Sequence, residues 1–187
     1  MEIEKQIESQ EQKVREETQK LLEMQRARPG RKIQDYMLAT PEGNKPLSSF
    51  FNGKSEMLLI HNMGKKCVYC TLWGDGLTGF SQHLQDRAAL LMVNSDSVAS
   101  QTEFAKSRGW NFPLASSEKA SLPADLGFYD ATAKSDRAGV SVITRDADGQ
   151  LYQRANAGFG PGDLFCDIWN FIGLLPSNTD WSPKYKY

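Results

Sequence analysis

The chain is poor in the residues that would commit it to several common classes of protein. It has three cysteines and two histidines in 187 residues, too few for a disulfide-stapled framework. It has neither a second C-x-x-C nor an H-x-x-x-H to complete a typical zinc site. No apolar run approaches the roughly 18–20 residues of a membrane span. The opening stretch, MEIEKQIESQEQKVREETQK, is acidic and polar, so no signal peptide is expected. A formal net charge of -1 supplies no overall basic field for nucleic acid. G-x-G-x-x-G, P-loop and flavin signatures are missing, and no organic cofactor is expected. Repeats and low-complexity segments are also lacking. These absences predict a cytoplasmic protein with neither nucleic acid nor membrane as partner.

What is present suffices for one domain with a substantial core and an appendage: 40% of the residues are hydrophobic and 24% charged. Residues 1–29 read as a helical extension rich in Glu, Lys, Gln and Arg and stopped by Pro29-Gly30. Ile3, Ile7, Val14 and Leu21 fall near one face, with Leu22 and Met24 widening it. This thin seam fits either packing on its own domain or a homodimer through the N-terminal helix. Residues 30–176 alternate between strand and helix patterns. EMLLIHNM (56–63) and AALLMVNS (88–95) have the continuous apolar centres of strands buried on both faces. A helix follows each; the second runs from Ser97 to its stop at Gly109. Residues 140–158 form a hairpin turning at Asp148-Gly149. PGDLFCDIWNFIGLL closes with a helix whose Leu164, Phe165, Ile168, Trp169, Ile172 and Leu175 make an apolar stripe, and 177–187 read as an irregular tail. The predicted class is α/β: a central mixed sheet flanked by helices, with an added N-terminal helix.

Two of the three cysteines, Cys67 and Cys70, follow the first buried strand in HNMGKKCVYCTLWGDG (61–76). Such a pair can be redox-active, half of a metal site or inert. The strand-to-helix junction favours redox chemistry, because unpaired N–H groups and the positive helix end stabilise an anion. A thiolate at Cys67 is such an anion, and Lys65 and Lys66 add positive charge beside it. Cys70, one turn further on, has the spacing from which its sulfur can resolve a mixed disulfide on Cys67. A metal site would need Cys166, His61 or His83, and a Cys3His set requires the last helix to fold back. Cys166 reads as a buried inert thiol, His61 as a satisfied structural histidine and His83 as a surface residue. Trp73 is either a cover on the dithiol or a core aromatic. Asp75 reads as a turn former before Gly76 rather than as a proton acceptor.

The order of elements and the dithiol resemble the thioredoxin-like superfamily. The local wording of LLIHNMGKKCVYCTLWGDGLTG, RGWNFPLASS, GVSVITRDADGQLY and DIWNFIGLLP is similar to a bacterial thioredoxin-like family of unknown function. That family is related to the alkyl hydroperoxide reductase and thiol-specific antioxidant group. The resemblance covers about residues 30–176 and implies a thioredoxin-like fold with the dithiol at its usual place. Two departures stand out. Val140, or a neighbour, lies where thioredoxins carry a cis-proline, and Lys66 stands where they have a Trp before the first cysteine. The peroxiredoxin P-x-x-x-[TS]-x-x-C pattern is also absent, since Ile60–Lys66 precede Cys67. Arg137, in RAGVSVI, matches the peroxiredoxin arginine that helps to activate the thiolate; otherwise it is a solvated loop charge.

The expected function is that of a thiol–disulfide oxidoreductase. Cys67, Cys70 and Arg137 are the candidate catalytic residues, and Trp73, Lys66 and Val140 the candidate substrate contacts. The expected partners are a disulfide or thiol substrate and an electron donor; no metal is expected. A thiol peroxidase and a non-catalytic binding module of the same fold are the alternatives.

Overall fold

The computed structural model describes residues 2–177 and 181–184. Of the irregular tail expected over 177–187, residues 178–180 and 185–187 lie outside the described residues, and Trp181–Lys184 have no regular structure.

The chain runs α1 (Glu2–Ala27), β1 (Arg31–Ile33), β2 (Met37–Thr40), β3 (Gly43–Pro46), a short 3-10 turn (Leu47–Phe51) and β4 (Glu56–His61). Then come α2 (Val68–Arg87), β5 (Ala89–Asn94), α3 (Val98–Arg108), β6 (Leu114–Ser116), α4 (Leu122–Asp125), β7 (Tyr129–Asp130) and β8 (Ser135–Asp136). β9 (Gly139–Arg145), β10 (Leu151–Gly158) and α5 (Ile168–Gly173) complete it. Eight strands form one sheet in the order β1-β10-β9-β4-β5-β6-β2-β3. β4, β5 and β6 are parallel, while β9 runs antiparallel beside β4. β7 and β8 make a separate small hairpin.

The continuous apolar reading of β4 and β5 holds because both faces of the sheet are covered. Met57 and Leu59 of β4, with Leu91 and Val93 of β5, enter the larger core with Leu47 and Phe51 of the 3-10 turn and Leu122 of α4. The alternate residues Ile60, Leu90 and Met92 pack on the other side with Leu77 of α2 and Phe112. Parallel strands closed in by helices have no solvated face to mark with polar residues. The predicted caps also form: Ser97 accepts from Ser100 N–H, and Gly109 ends α3 with φ 69°. In the hairpin, Gly149 takes φ +84° while Asp146 Oδ1 accepts the Asp148 and Gln150 amides.

His61 ends β4 inside the core. Its Nε2 is hydrogen-bonded to Ser141 Oγ at 2.9 Å, and its ring stacks on Phe128 with centroids 3.8 Å apart. Gln153 Nε2 donates to the same hydroxyl at 3.0 Å. Burial pushes the imidazole pKa down to about 3, so His61 is neutral at physiological pH.

Two expectations need correction. The closing helix is confined to Ile168–Gly173. Asp163 takes the Gly160 and Phe165 amides on its carboxylate, and Gly162 at φ +84° continues a turn there, so the chain does not become helical until Asp167 is passed. Its stripe is only partly covered: Leu164, Phe165 and Leu175 are exposed, as are Phe171 (70%) and Leu174 (80%). α1 likewise has no buried residue. It is tied to the domain at its C-terminal end, where Gln25 donates to the Asn156 carbonyl (3.0 Å) and Arg28 to Asn156 Oδ1 (2.8 Å).

Asp75 is the second correction. It lies within α2, not in a turn, and its carboxylate binds the Arg108 guanidinium and Trp110 Nε1–H (3.0 Å). This clamp ties α2 to the end of α3. Gly74 makes it possible, because a Cβ there would lie 2.3 Å from the Trp110 ring.

Two measurements check this packing. Gly74→Ala should destabilise the protein by about 1–3 kcal/mol through forced displacement of Trp110. Gly76→Ala, whose Cβ would meet nothing within 4 Å, should stabilise it by about 0.5–1 kcal/mol. Urea midpoints of the two variants decide. For His61 the unfolded chain binds a proton below about pH 6.5 and the folded chain does so only near 3. Stability is therefore lost as the pH falls through this window. Relative to His61→Gln, the wild type should lose up to about 1.4 kcal/mol per pH unit below that point, measured by urea unfolding at several pH values.

Candidate active site

The turn between β4 and α2 brings the two cysteines together. The His61 carbonyl end of β4 passes into Asn62 and Met63; Gly64 then takes φ +90° and reverses the chain. The Cys67 amide donates to the Gly64 carbonyl at 3.1 Å, closing the turn. Cys67 is the N-cap of α2, in extended conformation, and its sulfur accepts the Cys70 amide at 3.1 Å. Sulfur thus takes the place of the Ser, Thr or Asp oxygen that more often satisfies a first-turn N–H.

Cys67 and Cys70 are joined by a disulfide, with their Cα atoms 5.2 Å apart. Cys67 is half-buried and Cys70 is 2% exposed. The Met63 amide donates to Cys70 Sγ at 3.4 Å, so each sulfur faces a backbone N–H. Such donors favour the thiolate over the thiol when the bond is reduced.

Asn62 and Asp96 give the turn its shape, and neither stands out in the sequence. Asn62 Oδ1 accepts the Gly64 amide at 2.7 Å, and its Nδ2 donates to the Cys70 carbonyl at 3.4 Å. Asp96 accepts the Lys65 amide at 2.7 Å. The bonds that shape the turn go to backbone groups, which carry no residue-specific mark, and Asp96 is 31 residues away from Lys65 in the chain.

The other candidates are dispersed. Lys66 is exposed directly before Cys67. Trp73 is 4% exposed and stacks face to face on Phe159, with centroids 3.8 Å apart. Val140 sits within β9, between Ile60 of β4 and Ala157 of β10, and packs on the smaller core. Arg137 is exposed and its guanidinium binds Asp130 at 2.6 Å. That bond, with the Ala133 and Thr132 amides, holds the Asp130 carboxyl down at about 2. Cys166 is 9% exposed, and burial pushes its thiol pKa up. It precedes α5 rather than lying on it. The neighbouring aromatics reach the dithiol helix: Trp169 meets Tyr69 at 6.1 Å, and Phe165 meets Phe159 at 5.6 Å. His83 is exposed. Among the described residues, no three His, Cys, Asp or Glu side chains are grouped to hold a metal. Nor is any helix among them long and apolar enough to cross a membrane.

Several solved structures share this architecture. Peroxidoxin BcpB from Mycobacterium tuberculosis is 19% identical, with a TM-score of 0.56 over 70% of this chain and 85% of its own. AhpC from Enterococcus faecalis is 12% identical, with a TM-score of 0.58 over 72% and 82%. A mutant of Xylella fastidiosa PrxQ is 19% identical, with a TM-score of 0.57 over 77% and 94%. At these identities the likeness is one of fold. The chain has the thioredoxin-like fold of these peroxiredoxins, with a mixed sheet flanked by helices. No curated protein matches it. The family described as "Bacterial protein of unknown function (DUF899)" matches residues 2–177, and the chain belongs to that family.

Proposed function

We propose that the protein is a cytoplasmic thiol–disulfide oxidoreductase working through Cys67 and Cys70. The observation that carries this reading is the bonded pair at the N-terminus of α2, with a backbone N–H aimed at each sulfur. The reduced Cys67 thiolate attacks one sulfur of a substrate disulfide. A mixed disulfide forms and the other substrate sulfur leaves as a thiolate. Cys70 gives up its proton to solvent and attacks Cys67 Sγ, which expels the second substrate thiolate and closes the Cys67–Cys70 bond. A separate dithiol donor supplies the two electrons that reopen it.

In this reading Lys66 supplies positive charge at the entrance, Trp73 acts as a buried support on the inner face of α2, and Val140 shapes the wall beside β4. Arg137 acts on the site through the β7–β8 hairpin that it holds by Asp130. A thiol peroxidase is the second reading, favoured by the fold shared with AhpC and PrxQ. There Cys67 attacks the peroxide O–O bond, becomes a sulfenic acid and releases an alcohol or water. Cys70 then closes the disulfide with loss of water.

Equilibration with a glutathione couple, with thiol alkylation followed against pH, tests the redox reading. The expected result is a reversible Cys67–Cys70 disulfide, and alkylation of Cys67 with an apparent pKa below about 7.5. Cys67→Ser and Cys70→Ser should each abolish the disulfide. Alkylation near the free-cysteine value of about 8.5 with no disulfide would leave a binding module. Peroxide consumption by the reduced protein separates the second reading.

The exposed seam of Ile7, Val14 and Leu21 on α1 supports a homodimer of paired N-terminal helices. Sedimentation velocity should then give a dimer for the wild type and a monomer for Val14→Glu/Leu21→Glu, with unchanged circular dichroism of the domain. A monomeric wild type rules the pairing out.

A further inference from the structure

Asp96 lies in the short connection from β5 to α3 and is held by its own backbone. Its amide donates to Asn94 Oδ1 at 3.0 Å, and its carbonyl accepts Ser116 Oγ–H at 2.6 Å. Asn94 is fixed in turn by Gln101 Nε2 at 3.0 Å. From this anchored position the side chain reaches back to the dithiol turn, where Oδ2 accepts the Lys65 amide at 2.7 Å. The carboxylate lies close against Gly64: a Cβ on residue 64 would be 2.9 Å from both carboxylate oxygens. Gly64 is also the residue whose carbonyl receives the Cys67 amide. One carboxylate therefore braces the turn that delivers Cys67 to the end of α2, and it places a negative charge beside that turn.

We propose that Asp96 is a positioning residue for the dithiol and sets its redox poise. This rests on the oxidoreductase reading above. The carboxylate holds the Gly64–Cys67 turn so that Cys67 caps α2 within bonding reach of Cys70. Its charge also opposes the thiolate that the helix end favours. Destabilising the thiolate destabilises the reduced form, which makes the dithiol a stronger reductant than the helix terminus alone would make it. Charged groups near the turn include Lys65 and Lys66 within it, and Asp136 of β8, which accepts Ser95 Oγ–H at 2.6 Å and lines one small cavity with Arg137 and Asn62. The reaction that reads this poise is oxidation of the two thiols by glutathione disulfide, giving the Cys67–Cys70 bond and two glutathione thiols.

The test uses the full chain with Asp96→Asn, which keeps an acceptor for the Lys65 amide and removes the charge, and Asp96→Ala, which removes both. The Asn variant should shift the glutathione equilibrium toward the dithiol by about two- to fivefold, the effect expected of a partly exposed charge. It should also move the Cys67 alkylation profile to lower pH. The Ala variant should shift the equilibrium further, because the turn is no longer braced. A variant that unfolds at lower urea yet titrates and alkylates as the wild type does would reduce Asp96 to a structural residue and overturn the proposal. So would a profile displaced to higher pH in the Asn variant. If the wild type itself forms no reversible disulfide, the oxidoreductase reading fails. The Asn alkylation profile then still decides whether Asp96 acts on Cys67.

Discussion

The site depends on one hydrogen bond, from the Cys70 amide to the Cys67 sulfur at the start of α2. A helix must find partners for its first N–H groups, and most helices spend an oxygen on them. Here the acceptor is also half of the dithiol. The interaction that starts the helix therefore polarises the sulfur, and the fold cannot form its second helix this way without presenting Cys67. The surrounding elements serve that placement. β4 is buried on both faces and cannot slide, Asn62 and Asp96 hold the turn, and Gly64 supplies a left-handed conformation that a Cβ would obstruct.

The stretch that follows, Trp73-Gly74-Asp75-Gly76, keeps α2 from moving once it has begun. Trp73 stacks on Phe159, Gly74 admits the flat face of Trp110, and Asp75 binds Arg108 and Trp110. The first of these contacts ties the helix to the residue after β10, and the other two tie it to the end of α3. A charge-assisted bidentate pair of this sort resists rotation as well as translation. The chemistry at the first turn is thus supported by packing in the second.

Much of this could be read from the residues themselves, and the reason is local. Buried parallel strands announce themselves by unbroken apolar runs, as in EMLLIH and ALLMVN, and helix α3 by its capping Ser97 and its terminal Gly109. The dithiol was legible because a strand-to-helix junction is itself a local pattern. What escaped depends on residues far apart in the chain. Asp75 before Gly76 looks like a turn until Arg108, 33 residues on, is brought against it. Asp96 contacts a backbone amide 31 residues earlier, and an amide leaves no trace in the sequence. The bulge between Gln153 and Ala155 is equally silent.

The apolar stripes of α1 and of residues 164–175 show where periodicity stops being informative. A stripe states that a face is costly to leave in water; it does not state what covers it. For α2 the sheet lies within reach, so Leu77 finds Ile60 and Met92. The same pattern at Leu164–Leu175 meets a turn fixed by Asp163, which halts the helix until Asp167 and leaves Phe171 and Leu174 outward. The aromatics that do find partners there, Phe165 and Trp169, lie against Phe159 and Tyr69. Trp169 thus meets a residue that stands between Cys67 and Cys70 in the chain, and Phe165 reaches α2 through Phe159, which stacks on Trp73.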